Sequence, residues 1–333
     1  MSSSKRLAAL RLPIFRRESP RCPGRLSIRR EANARWQDSA RGTIVTVQPE
    51  RLIGPDTRIF SMGSCFAVEI RNALRARGQH VLPDYFRIPF PADRVSIGKL
   101  PQRDNVNHYD TYSIVQEFER AFGEAPASSF PPLDVVPGSL RKRLGTSARW
   151  QDPYRREVYA TSRESIESVS DAITQTIGEG IHGADVYILT LGLIETWVDE
   201  VSARHVWSER VRRLVSRPER IRFHHSNYDE NLTNLRRVCD LIHHHYPDRL
   251  VVLTVSPVAL GETFSGTDVV SANTLSKSLL RTVAGQIQRD HPYLRYWPSY
   301  ELAQRNDIFE PDGRHVKLPT VSHIVEAFVE NYS

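Results

Sequence analysis

Two short runs, residues 185–191 (DVYILTL) and 250–255 (LVVLTV), restrict the fold of this chain more than any other feature. Each has the length of a strand and almost no polar face to offer water, so each reads as a strand buried on both sides. A sheet covered on both sides needs helices above and below it. Helical periodicity over residues 67–77, 113–122, 163–179, 230–245, 273–289 and 318–331 supplies them, and shorter strands are read at 58–62, 80–82 and 294–297. Strands alternating with helices imply right-handed crossovers and a mainly parallel α/β sheet. Between them, residues 83–101 are rich in proline, and the stretch near 124–160 reads as an irregular insertion.

In a parallel sheet of this kind, ligands collect beyond the carboxyl ends of the strands. Gly63-Ser64, Gly192 and Ser256-Pro257 fall at three such ends. The first is the most informative. Strand 58–62 runs into Gly63, then Ser64 and Cys65, then a helix with Ile70, Ala73 and Leu74 on one face and Arg71, Arg75 and Arg77 on the other. Glycine allows the sharp turn, and the free N–H groups of the helix hold negative charge. Ser64 alone is as readily a helix cap as a nucleophile. Cys65 is its rival: a thiolate is the better nucleophile, although a small cysteine opening a helix is also an ordinary core residue. Near the C-terminus, Asp312 and His315 stand three residues apart on a turn containing Pro311 and Gly313. A carboxylate there fixes one imidazole nitrogen and leaves the other to take a proton from a nucleophile.

Gly63-Ser64-Cys65-Phe66-Ala67 resembles the signature of the GSCFA domain family, which is grouped with the SGNH (GDSL-like) hydrolases. Segments 107–114 (NHYDTYSI), 190–197 (TLGLIETW), 254–257 (TVSP), 273–277 (NTLSK), 296–300 (YWPSY) and 312–315 (DGRH) resemble further blocks of that family, in order. The resemblance implies a flavodoxin-like three-layer sandwich with a central, mainly parallel sheet. It also implies Ser64 as nucleophile with Asp312 and His315 completing a triad, and O-acyl esters, on carbohydrate, as substrates. Two alternatives stay open: an O-acyltransferase of polysaccharide synthesis, and a non-catalytic carbohydrate-binding protein with the same fold. Expected oxyanion donors are the N–H of Cys65, Gly192 and Asn107. Because the third SGNH block reads Gly192-Leu193-Ile194-Glu195 here, its asparagine is replaced by Asn107, the preferred candidate, by Thr196, or by backbone donors. Glu195 is either a substrate ligand beside a stacking Trp197 or a rim carboxylate paired with an arginine. Lys277, with Ser276, either binds an anionic substrate group at a helix start or belongs to the helix surface.

The net charge of +6 suggests nucleic acid until it is divided along the chain. Residues 1–41 hold 11 Lys/Arg against 3 Asp/Glu, and the rest holds 34 against 36. The basic residues therefore mark an arm over 1–45, read as disordered, and leave a near-neutral catalytic domain over 46–333 with no expected nucleic-acid partner. No segment approaches the ~20 apolar residues that span a bilayer. Three cysteines, Cys22, Cys65 and Cys239, form no disulfide framework, which points to the cytoplasm. No cofactor or metal is expected. Gly-rich phosphate loops are absent, His243, His244 and His245 sit on consecutive helical positions that diverge, and His224-His225 read as part of a polar loop. The oligomeric state is left open.

Overall fold

The computed structural model describes residues 49–88, 95–97, 106–136, 148–303 and 309–333. The arm expected over 1–45 lies outside them. In chain order the elements are β1 (Arg58–Gly63), α1 (Cys65–Ala76), β2 (His80–Leu82), β3 (Val95–Ile97), α2 (Thr111–Ala121), β4 (Leu133–Asp134), β5 (Trp150–Asp152) and β6 (Val158–Ala160). There follow α3 (Arg163–Gly183), β7 (Val186–Leu191), β8 (Glu195–Asp199), β9 (Arg204–Val206), α4 (Glu209–Leu214), β10 (Ile221–His225) and α5 (Tyr228–His245). The chain closes with β11 (Leu250–Val255), α6 (Val269–Asp290), β12 (Leu294–Trp297), α7 (Ser299–Leu302) and α8 (Leu318–Tyr332).

The two apolar runs are the neighbours β7 and β11 in a five-stranded sheet of order β12-β11-β7-β1-β2, parallel throughout. Numbered by their appearance in the chain, these strands lie 2-1-3-4-5, the flavodoxin-like order. Although the central strands are apolar on both faces, their side chains still alternate. Phe60, Tyr187, Leu189, Val251 and Leu253 pack on α2, α3, α5 and α6. Ile59, Val186, Ile188 and Val252 pack on the other side against Phe66, Ile70 and Leu74 of α1 and Ile324, Val325 and Phe328 of α8. Two cores back to back make the three layers expected, each fully buried aliphatic side chain contributing about 1.5–3 kcal/mol.

Helix ends differ from the periodicity reading for local reasons. α3 continues past residue 179 to Gly183 although Gly180 argues against it. A β-carbon on Gly180 would stand 3.1 Å from the Phe60 ring, so the glycine serves close helix–sheet packing. α6 starts at Val269, earlier than expected, because Asp268 accepts the N–H groups of Val270 and Ser271.

The segment near 124–160 is less irregular than its composition suggests. β4, β5 and β6 lie within it and join β3 in an antiparallel sheet of order β3-β6-β5-β4. Arg155, fully buried, explains why this part is fixed. Its guanidinium donates to both Glu117 oxygens of α2 at 2.9 and 2.8 Å and to Asp152 at 3.1 Å. Burial opposes the charge on Glu117, but Arg120 and Arg155 hold its carboxyl well below the usual range. A second small sheet, β10-β8-β9, contains Glu195 and Trp197 on a strand rather than a loop, and His224-His225 likewise lie on β10. Both small sheets meet over a satellite core that includes Leu133, Tyr154, Trp197, Val206 and Trp207. Among the described residues, no helix is long and apolar enough to cross a membrane.

Candidate active site

The sheet order reverses between β1 and β7, and the crevice of such a sheet opens at the carboxyl ends of those strands. β1 ends at Gly63, whose φ of +143° suits glycine alone. A β-carbon there would lie 2.1 Å from the Thr190 carbonyl oxygen of β7. The turn is then pinned on both flanks: Ser64 N–H donates to Thr190 O at 3.1 Å, and His108 N–H donates to Gly63 O at 2.8 Å.

Ser64 and Cys65 take different roles after this turn. Ser64 is the N-cap of α1, 3% exposed, with its hydroxyl oxygen accepting the Phe66 N–H at 3.3 Å. Cys65 is the first residue of the helix and only partly buried. His315 and Cys65 line the same cleft, and the His315 Nδ1 donates to Asp312 Oδ2 at 2.5 Å, which leaves Nε2 free of that pair. The Cys65 side chain and then the bond to Asp312 raise the His315 imidazole to about 9. Asp312 also organises its loop by accepting the N–H groups of Arg314 (2.9 Å) and His315 (3.0 Å), and its carboxyl is held below the usual range chiefly by His315. Ser64, Cys65 and His315 all line the cleft, with Asp312 bonded to the far side of the imidazole.

The expected oxyanion donors separate in the same way. Cys65 N–H, at the first helical position, has no intrahelical acceptor. Gly192 N–H is committed to Tyr109 O at 3.1 Å. Gly192 instead makes room: a β-carbon there would stand 2.6 Å from Tyr109 O and 3.1 Å from Ser64 Cβ. Asn107 is buried, and its side-chain amide donates to the Tyr109 hydroxyl at 3.1 Å. Tyr109, not Asn107, reaches the cleft wall.

The cleft holds about 420 Å³ and is lined by Ser64, Cys65, Gly192, Glu195, Trp197 and His315, with Tyr109, Trp207, Phe264, Arg156, Arg210 and Arg314 completing its walls. Among the described residues, Glu195 pairs with no arginine. Its carboxylate accepts the Thr263 hydroxyl and, at 2.9 Å, the Phe264 N–H, so it ties down the loop before α6. Trp197 stands edge-on to Phe223 and Phe264. Lys277 is neither on the helix surface nor at its start: it is 1% exposed, does not line the cleft, and donates to Gly192 O at 2.7 Å. Tyr109 and Arg314 lie inside sequence blocks already singled out, but nothing in the sequence distinguishes them from their neighbours. Arg314 fastens the histidine loop by donating to Ala259 O at 3.2 Å.

Glu195→Ala leaves the Phe264 N–H without its acceptor. Faster proteolytic cleavage within 261–268 is expected, with Tm lowered by only a few degrees. Limited proteolysis and thermal melts check this.

The GSCFA family model matches residues 58–328. No curated protein matches the chain. Among solved structures, the chain is similar to a family 3 carbohydrate esterase of Clostridium thermocellum, at 10% identity and a TM-score of 0.35, over 83% of this chain and 94% of that one. It is also similar to a GDSL-like lipase of Bacteroides thetaiotaomicron, at 10% identity and a TM-score of 0.37, over 88% and 94%. A family two carbohydrate esterase of Clostridium thermocellum matches at 13% identity and a TM-score of 0.31, over 86% and 65%.

Proposed function

The chain belongs to the GSCFA family, and from the geometry of its cleft we propose that it cleaves O-acyl esters through a thioester on Cys65. The observation that carries this reading is the Asp312–His315 pair lining one cleft with the partly buried Cys65, whose side chain raises the imidazole. His315 Nε2 takes the thiol proton. The Cys65 sulfur adds to the ester carbonyl, and the oxygen that gains charge faces the Cys65 N–H at the start of α1. When the tetrahedral adduct collapses, the carbon–oxygen ester bond breaks, and His315 returns the proton to the departing alkoxide. Water then gives a proton to His315 and adds to the thioester. The carboxylic acid leaves, and the proton goes back to sulfur.

Asp312 keeps the imidazole in the tautomer that presents Nε2, and stabilises the imidazolium between the two proton transfers. The aromatic walls offered by Trp197, Trp207 and Phe264 suit the apolar face of a sugar ring, which supports acylated carbohydrate as the substrate class. A nucleophilic thiol must stay reduced, which supports a cytoplasmic address for the protein.

Hydrolysis of p-nitrophenyl acetate and of peracetylated cellobiose by the purified protein tests this reading. Acetate release that iodoacetamide pretreatment abolishes supports it. Turnover that survives full alkylation of Cys65 overturns it. Strong stimulation by an added sugar, with acetylated sugar as product, identifies transfer in place of hydrolysis.

The leaving alkoxide needs the imidazolium proton. With His315 raised to about 9, kcat/KM is expected to fall above about pH 9 as that proton is lost. Asp312 raises the histidine, so Asp312→Asn moves this limb down in pH, towards the ordinary histidine value. A pH–rate profile of both proteins checks the direction.

A further inference from the structure

Lys277 is a buried cation that the chemistry above does not use. It sits in the third turn of α6, 1% exposed, and its one hydrogen bond among the described residues goes to a neutral acceptor, the Gly192 carbonyl at 2.7 Å. No carboxylate pairs with it among the described residues. Burying a charge costs several kcal/mol, whereas a methionine would fill similar space without that cost. The charge therefore calls for a function, and its surroundings supply one. Gly192 lies against Ser64, immediately before the nucleophile. The preceding residue of α6, Ser276, accepts the Ile194 N–H at 3.2 Å, so α6 grips the 192–194 turn at two points.

We propose that Lys277 is a positioning residue for Cys65: its ammonium, anchored on the Gly192 carbonyl, stabilises the Cys65 thiolate from the buried side of the turn. The proposal rests on the reading of Cys65 as nucleophile. His315 then stabilises the same thiolate from the cleft, and the sulfur stands between two cations of different exposure.

The charged groups that face Lys277 agree with this role. Burial pushes its ammonium down to about 7, the Cys65 thiolate favours the charged form, and Arg314 on the histidine loop opposes it. Tyr109, the other titratable wall of the turn, is pushed up by burial and stays a neutral phenol.

The test is the pH profile of Cys65 alkylation by iodoacetamide, read on the Cys65 peptide by mass spectrometry, in the wild type, Lys277→Met and His315→Ala. Lys277→Met is expected to shift the profile up by about one pH unit, an approximately tenfold slower alkylation near pH 6.5, while the thermal midpoint holds or rises. A Lys277→Met profile that superimposes on the wild type overturns the inference. If His315→Ala still shifts the profile in that case, the reading of Cys65 survives alone. If neither variant shifts it, both fail. Should Lys277→Met not fold, the same coupling is read from the other side, by titrating the Lys277 13Cε resonance in the wild type and in Cys65→Ala. A lower midpoint in Cys65→Ala supports the inference, and an unchanged midpoint overturns it.

Discussion

Cys65→Ala is expected to lower ester hydrolysis roughly 10⁴-fold or more, because it removes the atom that bonds to the acyl group. Ser64→Ala is expected to leave the rate within about tenfold. Ser64 is the neighbouring residue, and its oxygen accepts the Phe66 N–H as the cap of α1. Its loss should appear as stability, about 1 kcal/mol for a missing helix cap, and not as chemistry. Cys65→Ser sharpens the comparison. The hydroxyl occupies the place of the thiol but ionises far less readily, so a slow residual rate with an intact pH limb is expected. Rates and urea midpoints for all three variants form one experiment. If Ser64→Ala is inactive while Cys65→Ala turns over, the serine is the nucleophile and the capping geometry misleads.

The largest effect on folding is expected from Gly63→Ala. Its β-carbon would meet the Thr190 carbonyl at 2.1 Å, far inside van der Waals contact. Neither partner can retreat. Gly63 is paired with Thr190 at the end of β1, and Thr190 is held by Thr254 of β11 on its other side. Moving the turn would also break the bonds from Ser64 N–H to Thr190 O and from His108 N–H to Gly63 O. A loss of more than about 4 kcal/mol follows, enough to leave little folded protein. Gly78→Ala is the control. Gly78 also has a positive φ, +80°, but its β-carbon would meet nothing within 4 Å, so only the backbone strain of about 1–2 kcal/mol remains. Urea unfolding of the two variants separates steric conflict from strain. Equal midpoints would show that the sheet end yields more easily than its packing implies.

Much of this architecture was legible in the sequence because it depends on long, one-signed signals. β7 and β11 are continuous apolar runs, so layer, direction and crevice followed from pattern, whereas Arg71, set opposite the apolar face of α1 by periodicity, is buried and donates to Ser61 O. The small sheets were not legible. β5, β6 and β9 are three residues long, contain Asp152 and Arg204, and are held by pairing and by the buried Arg155–Glu117 contact rather than by propensity. Sequence reasoning found the loop bearing Asp312 and His315 and the turn bearing Ser64 and Cys65. That Ser64 caps α1 and Cys65 opens it is a local geometry that the residues Gly-Ser-Cys do not determine. Glu195 and Lys277 looked like ligands because they are charged and near strand ends. Burial and partners 68 to 85 residues away in the chain give them other work.

Cys65 opens α1 and His315 sits just before α8, and these first and last helices of the domain pack side by side on one face of the sheet. On the ribosome, the sulfur thus emerges 250 residues ahead of its base. On the proposed reading, a nascent chain carries a dormant thiol until the segment bearing His315 has been made.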